Sequence, residues 1–118
     1  KFGTYTVRAK EKIEAEKLIE DALALQEAGV FALVLEKIPS GLAKQVTEKL
    51  GIPVIGIGAG NGVDGQVLVS HDLFGMNQGF NPRFLRRYLN LFEDMSGAVS
   101  EYCKDVQSGD FPSDKEQY

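Results

Sequence analysis

The stretch from Phe31 to Gly60 constrains the fold more than any other part of the chain. It contains two short apolar runs, residues 31–35 and 53–57, with a helical pattern between them and a glycine-rich turn after the second. Such runs are typical of strands that a parallel sheet buries on both faces. Because function in parallel α/β folds collects beyond the carboxyl ends of strands, the residues that follow each run are the first candidates for a site.

The rest of the chain predicts an α/β protein with few strands. The predicted helices cover 10–28, 41–50, 82–92 and 96–108, and the predicted strands cover 31–35, 54–57 and 66–70. Residues 1–9 are expected to form an edge strand or a loop. Residues 110–118 are expected to form a polar tail, anchored at most by Phe111-Pro112. Ser40 and Asn81 are expected to cap helices, and Gly29, Gly51 and Gly109 to end them. Three strands leave open sheet edges, so we expect part of a larger sheet or a protomer that completes its sheet with another chain.

Composition argues against several classes of function. The net charge is −4, which provides no basic surface for nucleic acid or anionic lipid. No apolar run is long enough to span a bilayer, and Lys1-Phe2-Gly3 does not resemble the start of a signal peptide. The single histidine, His71, and the single cysteine, Cys103, are too few for a His/Cys metal site, and Cys103 is expected to be inert in the core.

Glu36 is the sharpest catalytic candidate because it directly follows the first apolar run. A carboxylate that burial surrounds with apolar side chains holds a proton more strongly, which would make Glu36 a usable general base. Its position alone leaves an alternative open, namely a salt bridge to Lys37 or Arg83 or a hydrogen bond to a loop amide.

Gly58 and Gly60 are candidate ligand-binding residues in the turn that follows the second run. Glycines allow backbone amides to approach an anion closely, and amide-lined turns after late barrel strands often hold anions. The turn does not match the dinucleotide-binding fingerprint, because the third glycine of that spacing is absent. The alternative is that small residues only allow the chain to turn tightly.

His71 and Asp72 are predicted to follow the third strand. His71 is a candidate for substrate contact or proton relay, and the alternative is a structural hydrogen bond between the two side chains. Asp64 is expected to fix the preceding turn through a hydrogen bond of its side chain.

The combined motifs resemble the ketopantoate hydroxymethyltransferase family, also called the 3-methyl-2-oxobutanoate hydroxymethyltransferases. The motifs are Leu33–Glu36, Pro39, Pro53–Gly60, Asp64–Gln66, Val69 and His71-Asp72. The resemblance covers nearly the whole chain. It implies a (β/α)₈ TIM barrel of the phosphoenolpyruvate mutase and isocitrate lyase type, of which residues 1–118 are expected to form the last three strands and the C-terminal helices as a single partial-barrel domain.

The resemblance also implies a reaction. The family transfers a hydroxymethyl group from 5,10-methylenetetrahydrofolate to 3-methyl-2-oxobutanoate and forms ketopantoate (2-dehydropantoate) for pantothenate and coenzyme A biosynthesis. A divalent metal, usually Mg²⁺, holds the ketoacid and favours its enolate. Glu36 matches the family's catalytic proton acceptor, and Val69 and His71 match residues that line or adjoin the ketoacid pocket.

Several expectations concern what lies outside the chain. The family's acidic metal ligands, a serine that grips substrate and an active-site lysine belong to earlier strands, so we expect the chain alone to be inactive without the amino-terminal barrel part. We also expect exposed apolar edges at 31–35 and 67–69. By resemblance the enzyme is a homo-oligomer, commonly a decamer, in bacterial cytosol or eukaryotic mitochondria.

An alternative from another functional class also fits the sequence. In it the chain is a free-standing binding or interaction module that holds a small anion in the Gly58-Ala59-Gly60 turn, and Glu36 is only structural.

Overall fold

The computed structural model describes Arg8, Ala9 and residues 11–118. The chain divides into two compact units, Lys1–Leu68 and Val69–Tyr118. Most of the segment expected as an edge strand or loop, residues 1–7, lies outside the described residues.

The described residues of the first unit form two helices and a three-stranded parallel sheet. Its elements are α1 (Lys12–Glu27), β1 (Leu33–Glu36), α2 (Ser40–Lys49), β2 (Val54–Ile57) and β3 (Gly65–Gln66). The strands lie in the order β1-β2-β3. The predicted α/β class is confirmed, and β2 has the predicted bounds.

The core of this unit lies between the helices and one face of the sheet. The core residues of α2 share one side of the helix at the expected spacing, namely Leu42, Ala43 and Val46. They cluster with Leu35 and Val54 from the strands and with other buried residues of the unit. Packing of this apolar face, rather than helix propensity, is the main source of stability for helices of this length.

The other face of the sheet, which we call the open face, is not buried within the first unit. Leu35 is 3% exposed, whereas its neighbour Val34 is 59% exposed. In the register of the parallel strands, Val34 is opposite Ile55 and Glu36 is opposite Ile57, so these four residues share the open face. The prediction that β1 is buried on both faces is therefore wrong for this unit, because helices pack on only one of them.

The apolar edges expected at 31–35 and 67–69 are exposed in part, since Leu35 is buried. Phe31 lies outside β1 and is 91% exposed, and Val67 and Val69 are about half exposed. The prediction of exposed apolar edges at the sheet is confirmed for Phe31 and Val67.

The glycines predicted to end helices agree with the structure better than the residues predicted to cap them. Gly29 and Gly109 both have left-handed backbone angles, with φ of +90° and +77°, as predicted for residues that end helices. Ser40 is not a cap: α2 begins at Ser40, Pro39 precedes it, and no side chain caps this helix. Proline before the first turn already fixes the backbone angle at this position.

The third predicted strand, residues 66–70, is mostly absent, because residues 67–69 are irregular. Only Gly65–Gln66 form β3, and α3 (Ser70–Leu73) begins where the strand was expected to end. The Val67 amide still donates to the Gly56 carbonyl at 3.0 Å. Beyond that bond, residues 67–69 have no strand partner among the described residues, so the predicted strand does not continue through them.

The predicted helix over 82–92 does not form. Residues 82–90 are irregular, and α4 (Leu91–Ser108) begins five residues before the predicted start at Ser96. The Tyr88 and Leu91 amides donate to the carbonyls of Leu73 and Phe74, at 2.9 and 3.0 Å. These bonds use the backbone groups that a continuous helix would need.

The helix α4 carries an apolar stripe that no other part of the second unit buries. Val99 is 61% exposed, and Cys103 is also exposed, so the prediction that Cys103 lies in the core is wrong. The tail anchor is confirmed, because the rings of Tyr102 and Phe111 meet edge to face at 5.4 Å. No helix in the described part of the chain is long and apolar enough to cross a membrane.

Candidate active site

Glu36 is the last residue of β1, at the carboxyl edge of the sheet. Its partner in the register is Ile57, the last residue of β2, which directly precedes the Gly58 turn. The structure therefore brings Glu36 and the glycine turn to the same edge, as parallel strands require.

The surroundings of Glu36 differ from those predicted. Its side chain is exposed, so the first unit does not supply the expected apolar burial. It also makes no ion pair in the described ranges, where the four ion pairs join other residues. The proposed salt bridge is therefore not formed, and the carboxylate faces outward on the open face.

Lys37 is a residue at this edge that sequence reasoning did not identify as important. It has a left-handed backbone angle, φ of +54°, which is uncommon for a residue other than glycine. Lys37 is only 9% exposed, although it directly follows an exposed residue. Its amide donates to the Ile57 carbonyl at 2.9 Å, and its carbonyl accepts from the Arg8 amide at 3.0 Å. No sequence signal indicated this conformation, because lysine is not a residue that favours it.

The glycine turn packs against the start of α2. Gly58 and Gly60 have φ of +64° and +79°, so both need the conformational freedom of glycine. A β-carbon on Gly60 would lie 2.4 Å from the β-carbon of Ser40. The Gly60 carbonyl accepts a hydrogen bond from the Gln66 side chain at 2.7 Å. Tight packing alone accounts for glycine at position 60, while ligand binding by Gly58 and Gly60 stays a prediction.

Asp64 fixes the turn through hydrogen bonds to a residue more distant in sequence than predicted. Its carboxylate accepts from the Val54 amide at 2.8 Å, and its own amide donates to the Val54 carbonyl at 3.0 Å. The side chain therefore joins the residues after the glycine turn to the first residue of β2, ten positions earlier.

Val69 and His71 belong to the second unit. Val69 directly precedes α3, and His71 is exposed within this helix rather than at a strand end. Asp72 is buried and accepts from the Asn77 side chain at 3.3 Å, so the expected pairing of His71 with Asp72 is not formed. The nearest side-chain polar contact of His71 is with Ser70, at 3.5 Å.

Arg87 organises the loop that follows α3. Its guanidinium donates to the Asn77 and Phe80 carbonyls at 2.7 and 3.0 Å and to the Asn81 side chain. Asn81 therefore accepts from Arg87 instead of capping a helix. A planar guanidinium suits this arrangement because it presents several donors in a fixed geometry.

The residues of this chain do not assemble a metal site in the part that the structure describes. No group of three or more His, Cys, Asp or Glu side chains lies close enough together there to hold a metal ion. Magnesium sites in proteins use carboxylate oxygens with bound water and substrate oxygens, and no such set is built around Glu36.

Comparison with known proteins identifies relatives along the entire chain. The sequence profile of the ketopantoate hydroxymethyltransferase family matches residues 1–114. Proteins named 3-methyl-2-oxobutanoate hydroxymethyltransferase are similar over all 118 residues, with 69% identity in Parabacteroides distasonis, 65% in Flavobacterium johnsoniae and 64% in Bacteroides fragilis. The chain spans 43% of the length of each of these relatives. It therefore belongs to the ketopantoate hydroxymethyltransferase family.

Proposed function

We propose that the chain is part of a 3-methyl-2-oxobutanoate hydroxymethyltransferase and that Glu36 is its general base. The observation that carries this proposal is the position of Glu36 at the carboxyl end of β1, on the open face of a parallel sheet. Active sites of (β/α)₈ barrels lie at the carboxyl ends of the strands.

The open face supports a barrel as the complete fold. In such a barrel the helices cover the outside of the strands and side chains from the strands fill the inside. The first unit has this asymmetry, because helices pack beside Leu35 while Val34 and Ile55 face away from the buried core. We propose that these apolar side chains belong to the barrel interior, and that β1–β3 correspond to its last three strands.

The proposed reaction requires a proton acceptor at one carbon. The ketoacid loses a proton from C3, and the electron pair of that bond forms the enolate, whose C3 then bonds to the one-carbon unit of 5,10-methylenetetrahydrofolate. The bonds between that carbon and the folate nitrogens then break, and water supplies the hydroxyl group of the new hydroxymethyl group and a proton to the released tetrahydrofolate. In this scheme the Glu36 carboxylate accepts the C3 proton, which is general base catalysis.

The other components are proposed by family membership and are not built from this chain. By family membership we place the metal ligands, the substrate-gripping serine and the active-site lysine in the part of the relatives that lies outside the 118 matched residues. Val69 and His71, with Gly58 and Gly60, are proposed to adjoin the ketoacid pocket. We also propose that the complete enzyme is a homo-oligomer in the cytosol or in mitochondria. The isolated chain is proposed to be inactive.

The experiment uses a grafted protein, in which this chain replaces the 118 matched residues of the Parabacteroides distasonis relative. Proton NMR follows exchange at C3 of 3-methyl-2-oxobutanoate in D₂O with magnesium. We expect exchange by the grafted protein, none by the chain alone, and loss of exchange in Glu36→Gln. Glu48→Gln is the matched control, since Glu48 pairs only with Lys44 on the exposed side of α2.

The outcomes separate the two functions considered. A folded grafted protein that exchanges C3 equally well with Glu36→Gln contradicts the assignment of the base. No exchange by a folded and assembled grafted protein favours the small-anion module. That module lacks positive support in the structure, because the close approach of Gly60 to Ser40 already explains why glycine is needed there.

A further inference from the structure

Glu14, in the first turn of α1, holds two of the described residues that precede the helix, Arg8 and Ala9. One carboxylate oxygen accepts from the Arg8 guanidinium, and the other accepts from the Ala9 amide at 2.9 Å. Ala9 is 7% exposed and belongs to the core cluster. The Glu14 side chain therefore contacts both the guanidinium of Arg8 and the backbone amide of Ala9.

The same segment is bonded to the residue that follows Glu36. The Arg8 amide donates to the Lys37 carbonyl at 3.0 Å, and the Lys37 amide donates to the Ile57 carbonyl at 2.9 Å. We call Glu14, Arg8, Ala9 and Lys37 the latch. It connects α1 to the end of β1, while Lys37 also remains bonded to β2.

Two residues of the latch have an unusual backbone conformation. Ala9 and Lys37 each have φ of +54°, in the left-handed region that L-residues rarely adopt. Such conformations persist only where the surrounding structure fixes them, and they cluster at functional sites. The hydrogen bonds of Arg8 and Glu14 supply that restraint here.

The side chain of Glu36 has no comparable restraint. It is exposed and makes no ion pair in the described ranges, so its position depends on the backbone of residues 35–37. We propose that Glu14 is a positioning residue that acts through Arg8, Ala9 and Lys37 to hold Glu36 where it can reach the ketoacid. This inference rests on the proposed function, in which Glu36 is the base.

The first test compares two alanine variants of the grafted protein. Glu14→Ala removes both acceptors of the latch. Glu16→Ala is the matched control, since Glu16 lies on the same helix and pairs only with Lys12 at 3.8 Å. We expect Glu14→Ala to lower kcat for C3 exchange by about tenfold with little change in KM, because small misplacements of a catalytic group are costly. Glu16→Ala should match the unsubstituted protein.

The second test asks whether the effect passes through Glu36. In the Glu36→Gln background, Glu14→Ala should cause no further loss of exchange, because residues that act as a unit are not additive. A merely structural role would lower residual exchange in both backgrounds. Amide hydrogen exchange at Arg8 and Lys37 should also become faster in Glu14→Ala than in Glu16→Ala.

The other possible results distinguish a failure of the role proposed for Glu14 from a failure of the role proposed for Glu36. If Glu14→Ala does not fold, Glu14→Gln keeps one oxygen for the Ala9 amide, and we expect a smaller loss of kcat from it. Equal kcat in Glu14→Ala and Glu16→Ala, with exchange strongly reduced but measurable in Glu36→Gln, overturns the inference alone. A grafted protein that is inactive before any substitution contradicts the proposed function, and protection of the Arg8 and Lys37 amides then decides whether Glu14 forms the latch.

Discussion

Gly60 approaches Ser40 so closely that no side chain fits between them: a β-carbon on Gly60 would lie 2.4 Å from the Ser40 β-carbon and 3.1 Å from its α-carbon. This contact places the turn after β2 against the first residue of α2. Because Ser40 follows Glu36 by four residues, the contact joins the loops that leave two neighbouring strands at the same edge of the sheet.

Gly60→Ala tests this contact. The substitution places a β-carbon in the left-handed region, at φ of +79°, and against the backbone of α2. We expect it to lower the free energy of unfolding by about 2–4 kcal/mol, from the combined backbone strain and overpacking. Urea unfolding of the 118-residue chain measures the change.

Gly41→Ala is the control for that measurement. Gly41 adjoins Ser40 within α2, has no atom within 4 Å of an added β-carbon and has no left-handed angle. Alanine favours the helix over glycine by about 1 kcal/mol, so the control should be neutral or stabilising. Equal loss of stability in both variants would show that the Gly60–Ser40 contact does not determine the packing.

Asp64→Ala should weaken the connection between the turn and β2. It removes the acceptor of the Val54 amide, which lies 2.8 Å from the carboxylate, and Val54 is fully buried. An unsatisfied buried amide costs about 1–3 kcal/mol, so we expect a loss of that size in urea unfolding. Asp64→Asn retains an oxygen acceptor and should lose less. Equal stability of Asp64→Ala and Asp64→Asn would show that the bond from the Val54 amide to the Asp64 carboxylate does not stabilise the fold.

Arg87→Ala should release the loop over residues 77–81. The substitution removes the guanidinium donors to Asn77, Phe80 and Asn81. We expect faster chymotrypsin cleavage after Phe80, because local opening exposes the backbone to protease. Arg86→Ala is the matched control, since Arg86 is the exposed neighbour and forms none of these bonds. Equal cleavage rates in the two variants would contradict this role of Arg87.

Glu116 provides a prediction of pH dependence in the tail. The backbone amide of Ser113 donates to its carboxylate at 2.9 Å and, with the Ser113 hydroxyl, lowers the pKa of Glu116. The turn over 113–116 should therefore be stabilised above the ordinary pKa of glutamate and lose that contribution as the pH falls through the lowered pKa. The Ser113 amide shift in NMR should titrate with a midpoint below the ordinary value. A midpoint at or above that value, or an unchanged curve in Glu116→Gln, contradicts the prediction.

The sequence predicted best the elements whose signals are local. The strand Val54–Ile57 and the ends of helices before Gly29 and Gly109 depend on short apolar runs and on glycine conformation, and both agree with the structure. The helix over 82–92 failed because Tyr88 and Leu91 bond to the loop after α3, a tertiary pairing that helical periodicity does not encode.

For the candidate site, the position of Glu36 in the fold was predicted correctly, but its surroundings were not. The apolar run before Glu36 correctly placed it at a strand end, whereas the predicted burial is not observed, because no described helix of the first unit packs on the open face. Lys37 and Glu14 were missed because their roles depend on a left-handed backbone and on hydrogen bonds that no residue pattern specifies.

Val34 tests whether the open face becomes a barrel interior. Val34 is 59% exposed on that face, and Val46, on the buried side of α2, is 1% exposed. In the chain alone, Val34→Thr should change the free energy of unfolding by less than about 0.5 kcal/mol, as at other surface positions. In the grafted protein the same substitution should cost about 1–3 kcal/mol, because the hydroxyl is then buried.

Val46→Thr is the control, since it buries the same hydroxyl in both proteins and should be destabilising in each. Urea unfolding of the four variants gives the comparison. A Val34→Thr variant that remains neutral in a folded grafted protein would show that Val34 stays exposed there. That result would contradict the proposal that β1 lines a closed barrel, and with it the argument that Glu36 faces an enclosed active site.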